Sequence, residues 1–122
     1  MSFKERLSNE KHTMKQIVVL PTYNEKDNLS KVVQQIFLAL PQGIVLIVDD
    51  NSPDGTGELA ETLKAELPEK IEVLHRTHKE GLGKAYLDGF QKALDLGAEQ
   101  IFQMDADLSH PPALLTKMSE AL

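Results

Sequence analysis

Two aspartates, Asp105 and Asp107, flank Ala106 just after the apolar run Ile101-Phe102-Gln103-Met104 and just before Pro111-Pro112. In an extended segment residues i and i+2 point the same way, so both carboxylates can face one ion, or one ion and a substrate. Hard oxygen ligands that leave most of a coordination sphere open suit Mg²⁺ or Mn²⁺ held jointly with phosphate oxygens. Such triplets are also common in surface turns, so the chemistry has to be decided by what else the chain brings to the same place.

Three further segments carry polar chemistry. In Pro21-Thr22-Tyr23-Asn24-Glu25, Pro21 has no N–H for a ladder, which predicts that the preceding strand stops there. Tyr23 can stack on a flat ring, and Glu25 can accept from a sugar hydroxyl or a base N–H, or serve as the acidic residue at a helix N-terminus. Val48-Asp49-Asp50-Asn51-Ser52-Pro53-Asp54-Gly55-Thr56 is an acidic strand exit followed by a turn at Asp54-Gly55. One of its two adjacent carboxylates serves the fold by accepting from loop N–H groups, leaving the other to read an imide or amide N–H of a nucleobase. Lys79-Glu80-Gly81-Leu82-Gly83-Lys84-Ala85 has neither the G-K-[ST] of a P-loop nor a full G-x-G-x-x-G. Its glycines therefore read as tight strand-to-helix packing, with Lys79 or Lys84 adding positive charge near a diphosphate. His12, His75, His78 and His110 lack metal-ligand spacing, while Ser109 either caps a helix or offers its hydroxyl to a metal on Asp107.

The elements that position these segments follow from periodicity. Gln16-Ile17-Val18-Val19-Leu20 and Ile44-Val45-Leu46-Ile47-Val48 are uninterrupted, β-branched and apolar, as strands buried on both faces of a parallel sheet are. A helix carrying Leu29, Val32, Val33, Ile36, Phe37 and Leu40 follows the first and ends at Pro41 and Gly43. A second helix spans roughly 56 to 67, Ile71-Glu72-Val73-Leu74 forms a short strand, and a third helix spans roughly 82 to 96 on Leu82, Tyr86, Phe90, Ala93 and Leu94. A further helix is expected from about residue 112. The alternation predicts an α/β, doubly wound, mostly parallel sheet with helices on both faces. In strand order 3-2-1-4 the ligand crevice opens between the first and fourth strands, with Pro21–Glu25 and Asp105–Asp107 on its lips.

Composition narrows the classes. A chain of 122 residues with 41% hydrophobic content holds one domain or one piece of a larger one. Residues 1–15 form a polar, flexible arm and 16–122 the folded part. A net charge of -6 argues against a nucleic-acid surface and a polybasic membrane anchor, so an anionic ligand needs metal, backbone N–H groups or local cations. Without cysteine there is no disulfide, Cys-type zinc site or thiol nucleophile. No apolar run approaches the roughly 20 residues that span a bilayer, which leads to the expectation of a cytoplasmic location, peripheral on the cytoplasmic face of a membrane in a longer parent.

Taken in order, Val19–Glu25, Val48–Thr56, Gly81–Ala85 and Met104–Pro112 resemble the GT-A-fold family 2 glycosyltransferases, and most of all their dolichol- or polyprenyl-phosphate mannosyltransferase group. The likeness runs from about residue 16 to the C-terminus. It implies transfer of a hexose, mannose from GDP-mannose, to a lipid phosphate with inversion. Pro21, Tyr23, Glu25, Val48, Asp50, Asp105, Ala106 and Asp107 match donor-binding positions, with Asp105 facing the sugar and Asp107 holding Mg²⁺ or Mn²⁺. Ser109 falls where relatives often place Gln in the metal shell. The family's catalytic domain is about twice as long, so the resemblance implies that this chain is the donor-binding half, inactive alone, with the lipid-phosphate acceptor held by the missing half. The fourth strand would then have an unpaired edge, open to self-association. Two alternatives stay open: a non-catalytic nucleotide-sugar-binding module, and a receiver-like Mg²⁺-binding signalling domain.

Overall fold

The computed structural model describes residues 14–77 and 81–106, together with the backbone of 116–120. Strands β1 (Gln16–Thr22), β2 (Ile44–Asp49), β3 (Ile71–His75) and β4 (Gln100–Gln103) alternate with helices α1 (Lys26–Ala39), α2 (Thr56–Glu66) and α3 (Leu82–Asp95), and β5 (Thr116–Glu120) follows. The sheet order is β3-β2-β1-β4-β5, with the first four strands parallel and β5 antiparallel to β4. The expected α/β class and the order 3-2-1-4 are both present.

Strand β1 lies at the centre and is buried on both faces. Its side chains alternate: Val18 and Leu20 enter a core completed by Leu29, Val32, Val33 and Ile36 of α1 and Ala60 of α2. Ile17 and Val19 enter a second core with Leu46, Val48, Ile101 and the small residues Ala85 and Ala93 of α3. The period-2 alternation of a strand thus turns one continuous apolar run into two faces, each needing its own helices.

On α3 the inward line is Ala85, Gly89 and Ala93, whereas Leu82 and Leu94, expected on the apolar face, are 55% and 37% exposed. The helix lies so close to the sheet that a Cβ on Gly89 would stand 2.4 Å from Val19 Cγ1 and 3.0 Å from Val48 Cγ2. Tight packing therefore falls to Gly89 and not to the expected glycines at the helix start. A Cβ on Gly83 would meet nothing among the described residues, and Gly81 is needed for its φ of +99°.

The crevice arises from unequal strand lengths. Val19 pairs with Gln103, the last residue of β4, while β1 continues to Thr22 alongside β2, where Thr22 pairs with Asp49. Contrary to expectation, β1 does not stop at Pro21. Val19 accepts from Met104 N at 3.2 Å and Thr22 from Asp50 N at 3.0 Å, so by alternation Pro21 turns its missing N–H toward the β4 side, where the ladder has already ended. The C-terminal segment also differs. Residues 112–115 of the expected helix lie outside the described residues, and 116–120 is a strand. It pairs with the outer edge of β4, where unpaired N–H and C=O groups would otherwise be left, so that edge is not open as expected.

Gly89→Ala should cost about 1–3 kcal/mol, because the new methyl cannot fit without moving α3. Gly83→Ala should be neutral or gain up to about 1 kcal/mol from helix propensity. Urea unfolding midpoints of the two variants check the contrast, and equal midpoints would contradict it.

Candidate functional site

The two loops leaving β1 and β2 are laced together. Asn24 and Asn51 take left-handed backbones, φ 57° and 59°, which turn each strand exit sharply into its loop. Asn24 N donates to Ser52 Oγ at 2.9 Å and Glu25 N to Thr56 Oγ1 at 3.0 Å. Asp54, expected only as a turn residue, accepts from Lys26 N at 3.2 Å and Thr56 N at 3.0 Å, so one carboxylate satisfies the first N–H of both α1 and α2. It also accepts from the Thr56 hydroxyl. That hydroxyl, helped by the backbone N–H groups, holds the Asp54 carboxyl below its ordinary value of 3.8. Glu25 stands at the N-cap of α1, as expected of an acidic residue at a helix N-terminus, but makes no side-chain capping bond, and it lines the cavity described below.

The adjacent aspartates divide as expected, with one difference. Asp49 serves the fold: its Oδ1 accepts from Thr22 Oγ1 at 2.7 Å and Ser52 Oγ at 2.6 Å, and its Oδ2 from Ser52 N at 3.0 Å. Asp50 is also engaged, because Arg76 Nη1 donates to its Oδ1 at 2.7 Å and both side chains are only 6% exposed. Arg76 Nε lies 3.1 Å from Asp88 Oδ2 on α3. The sequence reading missed Arg76. His75 pairs in register with Asp49, so the residue after β3 lies beside the residue after β2, and a cation there is the natural counterion for Asp50.

These exits enclose an open cavity of about 300 Å³ lined by Pro21, Thr22, Tyr23, Glu25, Asp50, Leu82, Asp105 and Ala106. Six expected donor-binding residues, Pro21, Tyr23, Glu25, Asp50, Asp105 and Ala106, meet there from three separate stretches of chain. Val48 does not reach it; it is fully buried beneath, against α3. Asp107 and Ser109 lie outside the described residues, as do His78, Lys79 and His110. At the β4 lip, Tyr86 Oη donates to Asp105 Oδ1 at 2.7 Å, a contact hidden in the sequence because Tyr86 reads as part of an apolar helix face. Among the described residues no three acidic or histidine side chains group closely enough to hold a metal. Asp105 and Glu25 each bring a carboxylate, the kind of hard oxygen donor that Mg²⁺ or Mn²⁺ prefers, to the cavity.

The doubly wound sheet of order 3-2-1-4, with acidic strand exits around a crevice at its switch point, is the arrangement expected of the GT-A class. The model for "Glycosyl transferase family 2" matches residues 17–122, and the chain belongs to that family. It is 46% identical over 110 residues to a polyprenol monophosphomannose synthase of Mycolicibacterium smegmatis, covering 90% of this chain and 42% of that protein. It is 46% identical over 109 residues to an undecaprenyl-phosphate mannosyltransferase of Micrococcus luteus, covering 89% and 44%. The chain thus spans less than half the length of these curated relatives. Among solved structures, the mannosyltransferase PcManGT from Pyrobaculum calidifontis, in complex with GDP-Man and Mn²⁺, shares the fold. Its TM-score is 0.68 and its identity 23%, over 79% of this chain and 28% of that one. Family membership sets aside the receiver-like alternative.

Removing a partner from the buried pair should be expensive. Arg76→Met should destabilise by about 3 kcal/mol, and adding Asp50→Asn should recover part of that loss, both read by denaturant unfolding. The depressed Asp54 carboxyl contributes stability that is present above its ordinary value of 3.8 and is lost as pH falls through the lower folded value. Asp54→Asn should therefore flatten the acid limb of a melting-temperature profile; an unchanged limb would exclude this contribution.

Proposed function

We propose that this chain forms the donor side of an inverting glycosyltransferase that moves mannose from GDP-mannose to a polyprenyl or dolichyl phosphate. One observation carries the reading: Pro21–Glu25, Asp50 and Asp105-Ala106, far apart in sequence, line a single cavity at the sheet's switch point. The names of the two relatives, one a phosphomannose synthase and the other a mannosyltransferase, favour mannose and a polyprenyl-phosphate acceptor.

In this reading Tyr23 stacks on the base, Glu25 accepts from a ribose hydroxyl or base N–H, and Asp50, held by Arg76, meets the base edge. Asp105 faces the hexose and Asp107, with Ser109 directly or through water, holds a divalent ion. That Mg²⁺ or Mn²⁺, when bound, neutralises the departing diphosphate as a Lewis acid and reverses the local sign of an acidic protein. Little is required of a general base here, because an acceptor phosphate with a second pKa near about 6 is largely ionised at neutral pH. The chain's residues therefore mainly bind, orient and exclude water. Among the described residues no helix is long and apolar enough to cross a membrane. We place the reaction at the cytoplasmic face of a membrane, where a lipid phosphate meets water, with the acceptor held by parts of the relatives that this chain does not span.

Calorimetric titration of the folded chain with GDP-mannose and UDP-glucose, with and without Mn²⁺, tests the proposal. At least one nucleotide sugar should bind, and Asp107→Ala should remove the metal dependence. Failure of both sugars to bind would overturn the reading.

A further inference from the structure

Asp105 stands two residues beyond Gln103, where β4 ends, and the last sheet bond on that lip is Met104 N to Val19 O at 3.2 Å. The sheet therefore does not fix the Asp105 side chain. What does bear on it is α3, since Tyr86 Oη donates to Asp105 Oδ1 at 2.7 Å while the Tyr86 ring packs against the core beneath that helix. The exits of β2 and β3 are tied to the same helix. Asp88 Oδ2 lies 3.1 Å from Arg76 Nε, and Arg76 Nη1 donates to Asp50 Oδ1 at 2.7 Å. At 100° per residue, Tyr86 and Asp88 flank the Gly89 contact line from opposite sides, one toward the exit of β4 and the other toward the exit of β3. Gly89 presses that line onto β1 and β2 with no side chain between.

We infer that α3 is a spacer that sets the separation of the β4 exit from the β2 exit, Tyr86 being the positioning residue for Asp105 and Asp88, through Arg76, for Asp50. Neither Tyr86 nor Asp88 lines the cavity, so each acts through another residue. Tyr86 holds one carboxylate oxygen in place and thereby restricts how Asp105 turns toward a ligand. Asp88 supplies the second anion for a buried guanidinium and fixes the angle at which it meets Asp50. The inference rests on the donor-site reading above, in which the sugar and diphosphate lie toward Asp105 and the base toward Asp50. It adds that the two ends of the donor are gripped by contacts that can be weakened one at a time.

The test is a double dissociation on the whole chain. Tyr86→Phe and Asp88→Asn preserve shape and remove one contact each. Affinities are measured in Mn²⁺ for GDP-mannose and UDP-glucose, each beside its nucleoside monophosphate, with melting temperatures recorded for every variant. Tyr86→Phe should weaken the nucleotide sugar about tenfold and leave the monophosphate within about twofold. Asp88→Asn should weaken the sugar and the monophosphate by the same factor, about three- to tenfold, and Asp88→Glu should restore most of it. Losses that fall alike on both ligands in both variants and track the melting temperature would show a merely structural role and overturn the inference. So would a Tyr86→Phe chain that binds both ligands as the unmodified chain does. An unmodified chain that binds no nucleotide sugar overturns the donor-site reading and this inference with it; binding with uniform losses overturns only the inference.

Discussion

The fold and the cavity depend on one constraint, the burial of β1 on both faces between a long neighbour and a short one. Its side chains feed two separate cores, so the helices must divide between the two faces. Its register lets Leu20, Pro21 and Thr22 outrun β4 while staying paired with β2. The gap so formed is the switch point, where the chain leaving β1 and the chain leaving β4 diverge with nothing of the sheet between them.

Around that gap, most of the carboxylates are committed to structure. Asp49 and Asp54 between them accept from backbone and hydroxyl donors that pin the two loops and both helix starts. Asp50 is held against Arg76, which also meets Asp88, so the Asp50 carboxylate at the cavity is not a bare negative charge. Bound side chains also lose less entropy on binding than mobile ones.

Helix α3 serves as the other reference surface. Close approach at Gly89 requires an absent side chain, and the neighbouring residues Tyr86 and Asp88 reach Asp105 after β4 and Arg76 after β3. The apolar pattern in the sequence suggested a helix packed through Leu82, Tyr86, Phe90, Ala93 and Leu94. Ala93 is buried and Tyr86 and Phe90 pack against the core as that pattern suggests, but the closest contact runs through Ala85, Gly89 and Ala93, because small residues bring a helix nearer to a sheet than leucines can, and Leu82 and Leu94 are left exposed.

Much of this was legible in the order of residues. The runs 16–20 and 44–48 announce buried parallel strands, the alternation of strand and helix announces a doubly wound sheet, and the acidic segments mark strand exits. These depend on local periodicity, which one stretch of chain carries by itself. The division of labour between Asp49 and Asp50, the partner of Asp50, the continuation of β1 through Pro21 and the pairing of β5 with β4 were decided only in three dimensions. Each turns on register between strands distant in sequence, or on which neighbour has already ended, and neither is a property of any single segment. The sequence by itself determined which residues could do chemistry and which elements would carry them. Tertiary structure decided which of those residues face the cavity and which are consumed in holding it open, because a carboxylate's role is set by the donors that long-range packing places beside it.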